Sequence, residues 1–270
     1  MRPFLARPRV ISVASPIVEQ RRTSSGLTYR LHLSPASPAV ATAVFVLLHG
    51  IGMSHRYLAR LHRELEAFGT VISIDLPGFG GTPKPTGPVS VEQYARVIAE
   101  ALEHARVTEC VVVGHSMGCQ FAVEVARQHP RLVSHVVLIG AVVDARRRTV
   151  FRQAAALAVD TLRETPSANV IVLADYLRCG PRWYLTELPE MMAYPTEERI
   201  TAVPHPVLVI RGMRDPVAGS VWSAVLAARA PDGRMLEIPG AHVVQQSAPA
   251  VVANAIHAFS KNPAAVGGAP

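Results

Sequence analysis

The chain has 270 residues, 49% of them hydrophobic and 17% charged, a balance that supports a large buried core and excludes a disordered chain, a coiled coil or a disulfide-stapled scaffold. No apolar run approaches the roughly 18 residues of a membrane span, so no membrane association is expected. The net charge is +7, but in the first 30 residues Arg2, Arg7, Arg9, Arg21, Arg22 and Arg30 stand against Glu19 alone; this is a charged edge, not a basic stripe with interleaved aromatics, and no nucleic acid is expected as a partner.

Val10 to Val18 and Leu27 to Leu33 read as two strands joined by the turn Thr23-Ser24-Ser25-Gly26. Val44 to Leu48 is an unbroken apolar run, which suits a strand covered on both faces of a parallel sheet. Ser54 can cap the next helix, whose buried face is Leu58, Leu61, Leu65 and Phe68, with Gly69 as its end. Val71 to Ile74 is a strand, and Asp75 to Gly81 a loop. Ser90 and Gln93 form a capping box ahead of a helix with Tyr94, Val97, Ile98, Ala101 and Leu102 on one face. Cys110 to Val113, His135 to Ile139, Val207 to Ile210 and Met235 to Ile238 are further strands. Helices follow at Phe121 to Val125 and Val251 to Phe259, and Asn262 to Pro270 is expected to fray.

Strands alternating with helices predict an α/β fold: a doubly wound, mostly parallel sheet of about eight strands. Residues 144–204 break the rhythm with helical patterns and no strand. We read them as a helical cap inserted over the carboxyl edge of the sheet, with residues 1–143 and 205–270 forming the core. Cys110, Cys119 and Cys179 have no metal spacing and are expected to be buried free thiols, which points to a reducing, cytoplasmic setting. Pro3, Pro8 and Arg9 break any signal-peptide core.

Gly114-His115-Ser116-Met117-Gly118 matches G-x-S-x-G between a strand and a helix, the context in which a strained turn presents a nucleophilic serine. A serine needs a base, and in such sheets the partners follow in the order Ser, acid, His. His242 sits just beyond the last strand. Asp215 follows Val207–Ile210 and is the preferred acid, with Asp144 as the runner-up. The other histidines are read as surface or packing residues. The negative oxygen of a tetrahedral intermediate needs two donors, expected from the backbone N–H groups of Met117 and of Ile51 in His49-Gly50-Ile51-Gly52.

These pieces together resemble the α/β-hydrolase superfamily: His49-Gly50, Asp75-Leu76-Pro77-Gly78-Phe79-Gly80, Gly114 to Gly118, Gly212 to Asp215, and Gly240-Ala241-His242. The resemblance implies Ser116 as nucleophile, Asp215 as acid, His242 as base, no cofactor and a helical cap. It also disfavours haloalkane dehalogenases and epoxide hydrolases, which carry Asp at the position of Ser116. Cys119 departs from the family, many of whose members have a second Gly there.

No metal cluster and no phosphate or dinucleotide loop is found in the sequence. The expected function is hydrolysis of a carboxylic ester through an acyl-enzyme. Lactone or carbon–carbon bond hydrolysis by the same three residues is the alternative, and a ligand receptor of the same fold is the alternative of another class. The cap balances eight Arg against eight acids, so a small molecule with a neutral or apolar acyl group is the expected partner. Trp183 and Tyr184 are its candidate contacts in the cap.

Overall fold

The computed structural model describes residues 17–36 and 43–267. Eight strands form one sheet in the order β1-β2-β4-β3-β5-β6-β7-β8. They are β1 (Ile17–Arg22), β2 (Thr28–Ser34), β3 (Ala43–Leu48), β4 (Gly69–Asp75), β5 (Cys110–His115), β6 (Val133–Ile139), β7 (Val207–Gly212) and β8 (Gly233–Ile238). β1 and β2 pair antiparallel, as do β2 and β4. All the other pairs are parallel. The sequence places the first strand at Val10 to Val18. Its described part begins at Ile17, and Val10 to Pro16 lie outside the described residues.

The unbroken apolar run of β3 is covered on both faces. Phe45 and Leu47 point into a cluster with Leu58, Leu61 and Leu65 of α1 (His55–Leu65) and with Ile256 and Phe259 of the C-terminal helix Pro249–Lys261. Val46 and Leu48 point the other way, toward Tyr94 and Ile98 of α2 (Val91–His104) and Phe121 of α3 (Gly118–Gln128). Each large apolar side chain buried in this way contributes about 1.5–3 kcal/mol. Ser54 accepts from the Arg56 N–H at the start of α1, and Ser90 with Gln93 completes a capping box on α2.

Four helices, α4 (Val150–Arg163), α5 (Pro166–Cys179), α6 (Pro181–Ala193) and α7 (Thr196–Arg199), lie between β6 and β7, and residues of α4, α5 and α6 line a cavity that Ser116 also lines. Among the described residues no helix is long and apolar enough to cross a membrane.

The sequence reading differs from the structure at three places. α1 stops at Leu65, and Gly69 opens β4, where a Cβ would lie 2.1 Å from the Ala43 carbonyl oxygen; Gly69 therefore serves strand packing, not helix termination. A helix, α8 (Ser220–Arg229), joins β7 to β8 and was not foreseen, because Gly219 supplies no capping side chain. Of the tail expected to fray, Asn262 to Gly267 is placed, with Val266 buried against the C-terminal helix layer, and residues 268–270 lie outside the described residues.

Candidate active site

The nucleophile turn is built by exclusion. A Cβ on Gly114 would lie 2.2 Å from the Gly118 carbonyl oxygen, and a Cβ on Gly118 would lie 2.2 Å from the Leu48 carbonyl oxygen. Any side chain at either position would push α3 away from β3 and β5. Between them Ser116 adopts φ +56°, a left-handed conformation that costs a non-glycine residue about 1–3 kcal/mol. The Ser116 N–H donates to the Ile139 carbonyl at 2.9 Å, so β6 holds the strained residue in place. Cys119 fits this packing: its thiol reaches the Gly114 and Ile139 carbonyls at 3.2 and 3.3 Å. Burial raises its pKa, so it remains a thiol.

His242 follows β8. Its Nδ1–H donates to Asp215 Oδ2 at 2.9 Å, which leaves the Nε2 lone pair for the cavity. Nε2 has no hydrogen-bond partner among the described residues. Asp215 is in turn held by the N–H groups of Val217 and Ala218, at 2.7 and 2.9 Å to Oδ1. Burial works against its ionisation, but the His242 charge and these hydrogen bonds bring its pKa below the usual carboxylate value. Burial also disfavours the His242 cation. The opposing charge and hydrogen bond of Asp215, followed by the charges of Asp160 and Glu164, outweigh it and raise His242 to about 8. Asp144, the runner-up acid, instead accepts from the Arg146 backbone and pairs with its guanidinium.

The loop after β3 passes directly over the nucleophile. A Cβ on Gly50 would lie 3.0 Å from Ser116 Cβ, so any larger residue would crowd Ser116. His49 fixes the loop: its Nδ1–H donates to the Gly50 carbonyl at 2.8 Å, and Nε2 accepts from the Leu76 N–H at 3.2 Å. Burial lowers the His49 pKa, which suits this neutral tautomer. Among the described residues the N–H groups of Ile51 and Met117 have no acceptor, and the Ile51 and Ser116 positions face one cavity.

That cavity measures about 730 Å³. Its walls include Ser116, His242, Ile51, Tyr57, Leu188 and Met191. The structure separates the two aromatic cap residues. Tyr184 lines the cavity, whereas Trp183 lies behind it, against Gly78 and at 6.3 Å from the Phe79 ring.

Sequence reasoning missed three contributors. The sequence reading assigns His115, like the other histidines apart from His242, only a surface or packing role. Its Nε2–H donates to the His242 carbonyl at 3.1 Å, and burial, reinforced by the nearby His242, lowers its pKa to about 3. From α4, Asp160 accepts the His242 backbone N–H at 2.9 Å and Glu164 accepts the Val243 N–H at 2.7 Å. The signal was present: Leu157, Asp160, Thr161 and Glu164 are spaced i, i+3, i+4, i+7 and form one helical face, all on the cavity.

Among the described residues one group has the composition of a metal centre: His32, His55 and Asp75. The two rings stack at 3.5 Å and 18°, and both donate to Asp75 Oδ2, at 3.0 and 2.8 Å. Both ring nitrogens are thus engaged by the Asp75 carboxylate. Asp75 Oδ1 also accepts the His55 backbone N–H at 2.7 Å. Burial opposes ionisation of Asp75, yet the bonds from His32 and His55 hold it well below the usual carboxylate range. The group braces the start of α1.

A model of the alpha/beta hydrolase family matches residues 45–255. The chain belongs to the alpha/beta hydrolase family. An uncharacterised protein of Mycobacterium tuberculosis is 32% identical over 133 residues, 49% of this chain and 38% of that protein, so the chain spans well under half the length of this relative. A Klebsiella pneumoniae protein bearing a carbamate-hydrolase name is 26% identical over 245 residues, 79% of this chain and 89% of its own. The enol-lactonase of Burkholderia xenovorans shares the hydrolase fold with a TM-score of 0.78 at 18% identity, covering 90% of this chain and all of that one.

Proposed function

We propose that this hydrolase cleaves carboxylic esters through an acyl-enzyme on Ser116. The observation that carries the reading is the Asp215–His242 hydrogen bond at 2.9 Å with a free His242 Nε2 in the cavity that holds Ser116. His242 Nε2 takes the Ser116 proton as Oγ attacks the ester carbonyl carbon. The carbonyl oxygen becomes an oxyanion and accepts from the Ile51 and Met117 N–H groups. The tetrahedral intermediate collapses, the carbon–oxygen bond breaks, and His242 returns the proton to the leaving alkoxide. Water then repeats the sequence on the acyl-enzyme and releases the carboxylic acid. Asp215 keeps His242 in the productive tautomer and stabilises its cation. The walls are mostly apolar, and among the described residues no Lys or Arg lines them, which supports a neutral acyl group over an anionic one.

The test is covalent labelling with a fluorophosphonate alongside turnover of p-nitrophenyl butyrate. Wild-type protein is expected to be labelled and to turn over the ester, and Ser116→Ala to do neither. Undiminished labelling of Ser116→Ala would overturn the assignment. Labelling without turnover of any ester would favour a ligand receptor.

A further inference from the structure

Asp160 and Glu164 are carboxyl groups where docking alone needs only a carbonyl oxygen. Each accepts one backbone N–H from the loop that carries His242. An Asn or Gln carbonyl would make the same bonds. Asp160 is only 5% exposed, and its second carboxylate oxygen has no hydrogen-bond partner among the described residues, although the residue lines the cavity. That oxygen is not sealed off, so a ligand in the cavity can reach it. Arg163, whose charge favours the ionised form of Asp160, donates to the Arg214 carbonyl at 2.9 Å and not to Asp160.

Three tyrosines share the same walls. Tyr57 packs edge-on to His115 at 5.0 Å, and the His115 ring lies 4.8 Å from that of His242. Tyr176 and Tyr184 meet edge-to-face at 5.5 Å. The negative charge of Asp160 acts on both Tyr57 and Tyr176. Buried carboxylate together with aromatic faces is the chemistry that receives an alkylammonium.

The position along the reaction coordinate is also set. His242 hands its proton to the leaving oxygen, so the alcohol part of an ester must lie on the His242 side. That is the side where the two acids bond to the His242 and Val243 backbone. Resting on the ester-hydrolase reading above, we propose that Asp160 and Glu164, with Tyr57 and Tyr176, form a cation subsite that selects esters whose alcohol carries an ammonium group. The acyl side stays neutral.

The experiment compares three butyrate esters of similar size. Their alcohols carry a trimethylammonioethyl, a 3,3-dimethylbutyl or a 3-carboxypropyl group. Wild-type kcat/KM should favour the cationic ester over the neutral one by about tenfold or more, and the anionic ester should be slowest. In Asp160→Asn/Glu164→Gln, which keeps both backbone acceptors, the cationic-to-neutral ratio should fall toward one. Equal rates for the three esters in the wild type would overturn the inference while leaving ester hydrolysis intact. If neither labelling nor turnover occurs, the ester reading fails instead. Binding of the same cationic and neutral esters to Ser116→Ala then decides the subsite: about tenfold tighter binding of the cation supports it, and equal binding sinks it.

Discussion

The turn that carries Ser116 and the helices between β6 and β7, the proposed cap, both line one cavity, and they are built by opposite means. At the turn every position is fixed by contact. Gly114 and Gly118 leave no room for a Cβ, Gly50 leaves little, and Ser116 is held in a strained conformation by β6. The cap is looser. Phe151 and Leu162 of α4 are 83% and 87% exposed. Its hold on the core includes separate polar pins. Asp160 and Glu164 grip the His242 loop, Glu187 accepts the Val89 N–H at 3.0 Å, and Asp175 accepts from the Ser54 hydroxyl at 2.7 Å. The difference assigns tasks. A rigid turn suits chemistry that fails on a small displacement. A pinned and partly exposed cap can vary its lining without disturbing the nucleophile.

The largest effect should come from the rigid side. Asp215→Asn keeps the shape but lets His242 adopt the wrong tautomer, and kcat should fall by about 10⁴. Asp144→Asn should cost little, because Asp144 bonds only to its own turn and Arg146. Steady-state kinetics on p-nitrophenyl butyrate measures both. The reverse order would put the acid after β6 and break the assignment of tasks.

The cap residues give the next largest effects, and they should split. Trp183 is buried behind the cavity against Gly78 and Phe79, so Trp183→Ala should cost about 3–5 kcal/mol of stability, read by denaturant unfolding. Tyr184→Ala removes a cavity wall, so it should change the kcat/KM ratio between short and long acyl esters by about 1–3 kcal/mol, roughly tenfold to two-hundredfold. Fluorophosphonate labelling of Ser116 should survive Tyr184→Ala. If chain-length preference were unmoved, specificity would have to reside in the loops around Gly50 and Pro77.

How much of this was legible in the sequence follows the same divide. The strand runs from Val44 onward, the capping box at Ser90 and Gln93, and the turn at Ser116 depend on local spacing, and the structure places these as read. The Asp215–His242 pairing was legible because both residues sit just past strand ends in a parallel sheet. What could not be read depended on contacts between distant segments. Whether Trp183 or Tyr184 faces the cavity turns on how α6 rotates over the Gly78 loop, 105 residues earlier in the chain for Trp183. Asp160 and Glu164 looked like a charge balance, since nothing local showed that α4 lands on the loop after β8. α8 escaped because its start has no side-chain cap.

The smallest effect tests whether the cap reaches the chemistry at all. Burial works against the His242 cation, while Asp215 first, and then Asp160 and Glu164, stabilise it and raise the pKa to about 8. The base must be neutral to take the Ser116 proton, so kcat/KM for a neutral ester should rise with pH through about 8. His115 titrates near 3 and cannot produce that limb. Removing the two cap charges in Asp160→Asn/Glu164→Gln makes the imidazolium less stable, so the limb should move to lower pH. The two charges act on His242 after the larger effect of Asp215, and they are partly screened by the cavity. A shift of a few tenths of a unit to about one unit is expected, which below the limb raises the neutral fraction by up to about tenfold. Burial raises the pKa of both Asp160 and Glu164 above the ordinary carboxylate value, while the His242 charge opposes that rise. A pH–rate profile on 3,3-dimethylbutyl butyrate avoids any contribution from a charged substrate. A limb that stays in place would mean that the α4 acids act only as mechanical pins, and the electrostatic link between cap and base would have to be abandoned. A limb that moves down while kcat at its plateau holds would show that the same two carboxylates both dock the cap and set the working pH of the base.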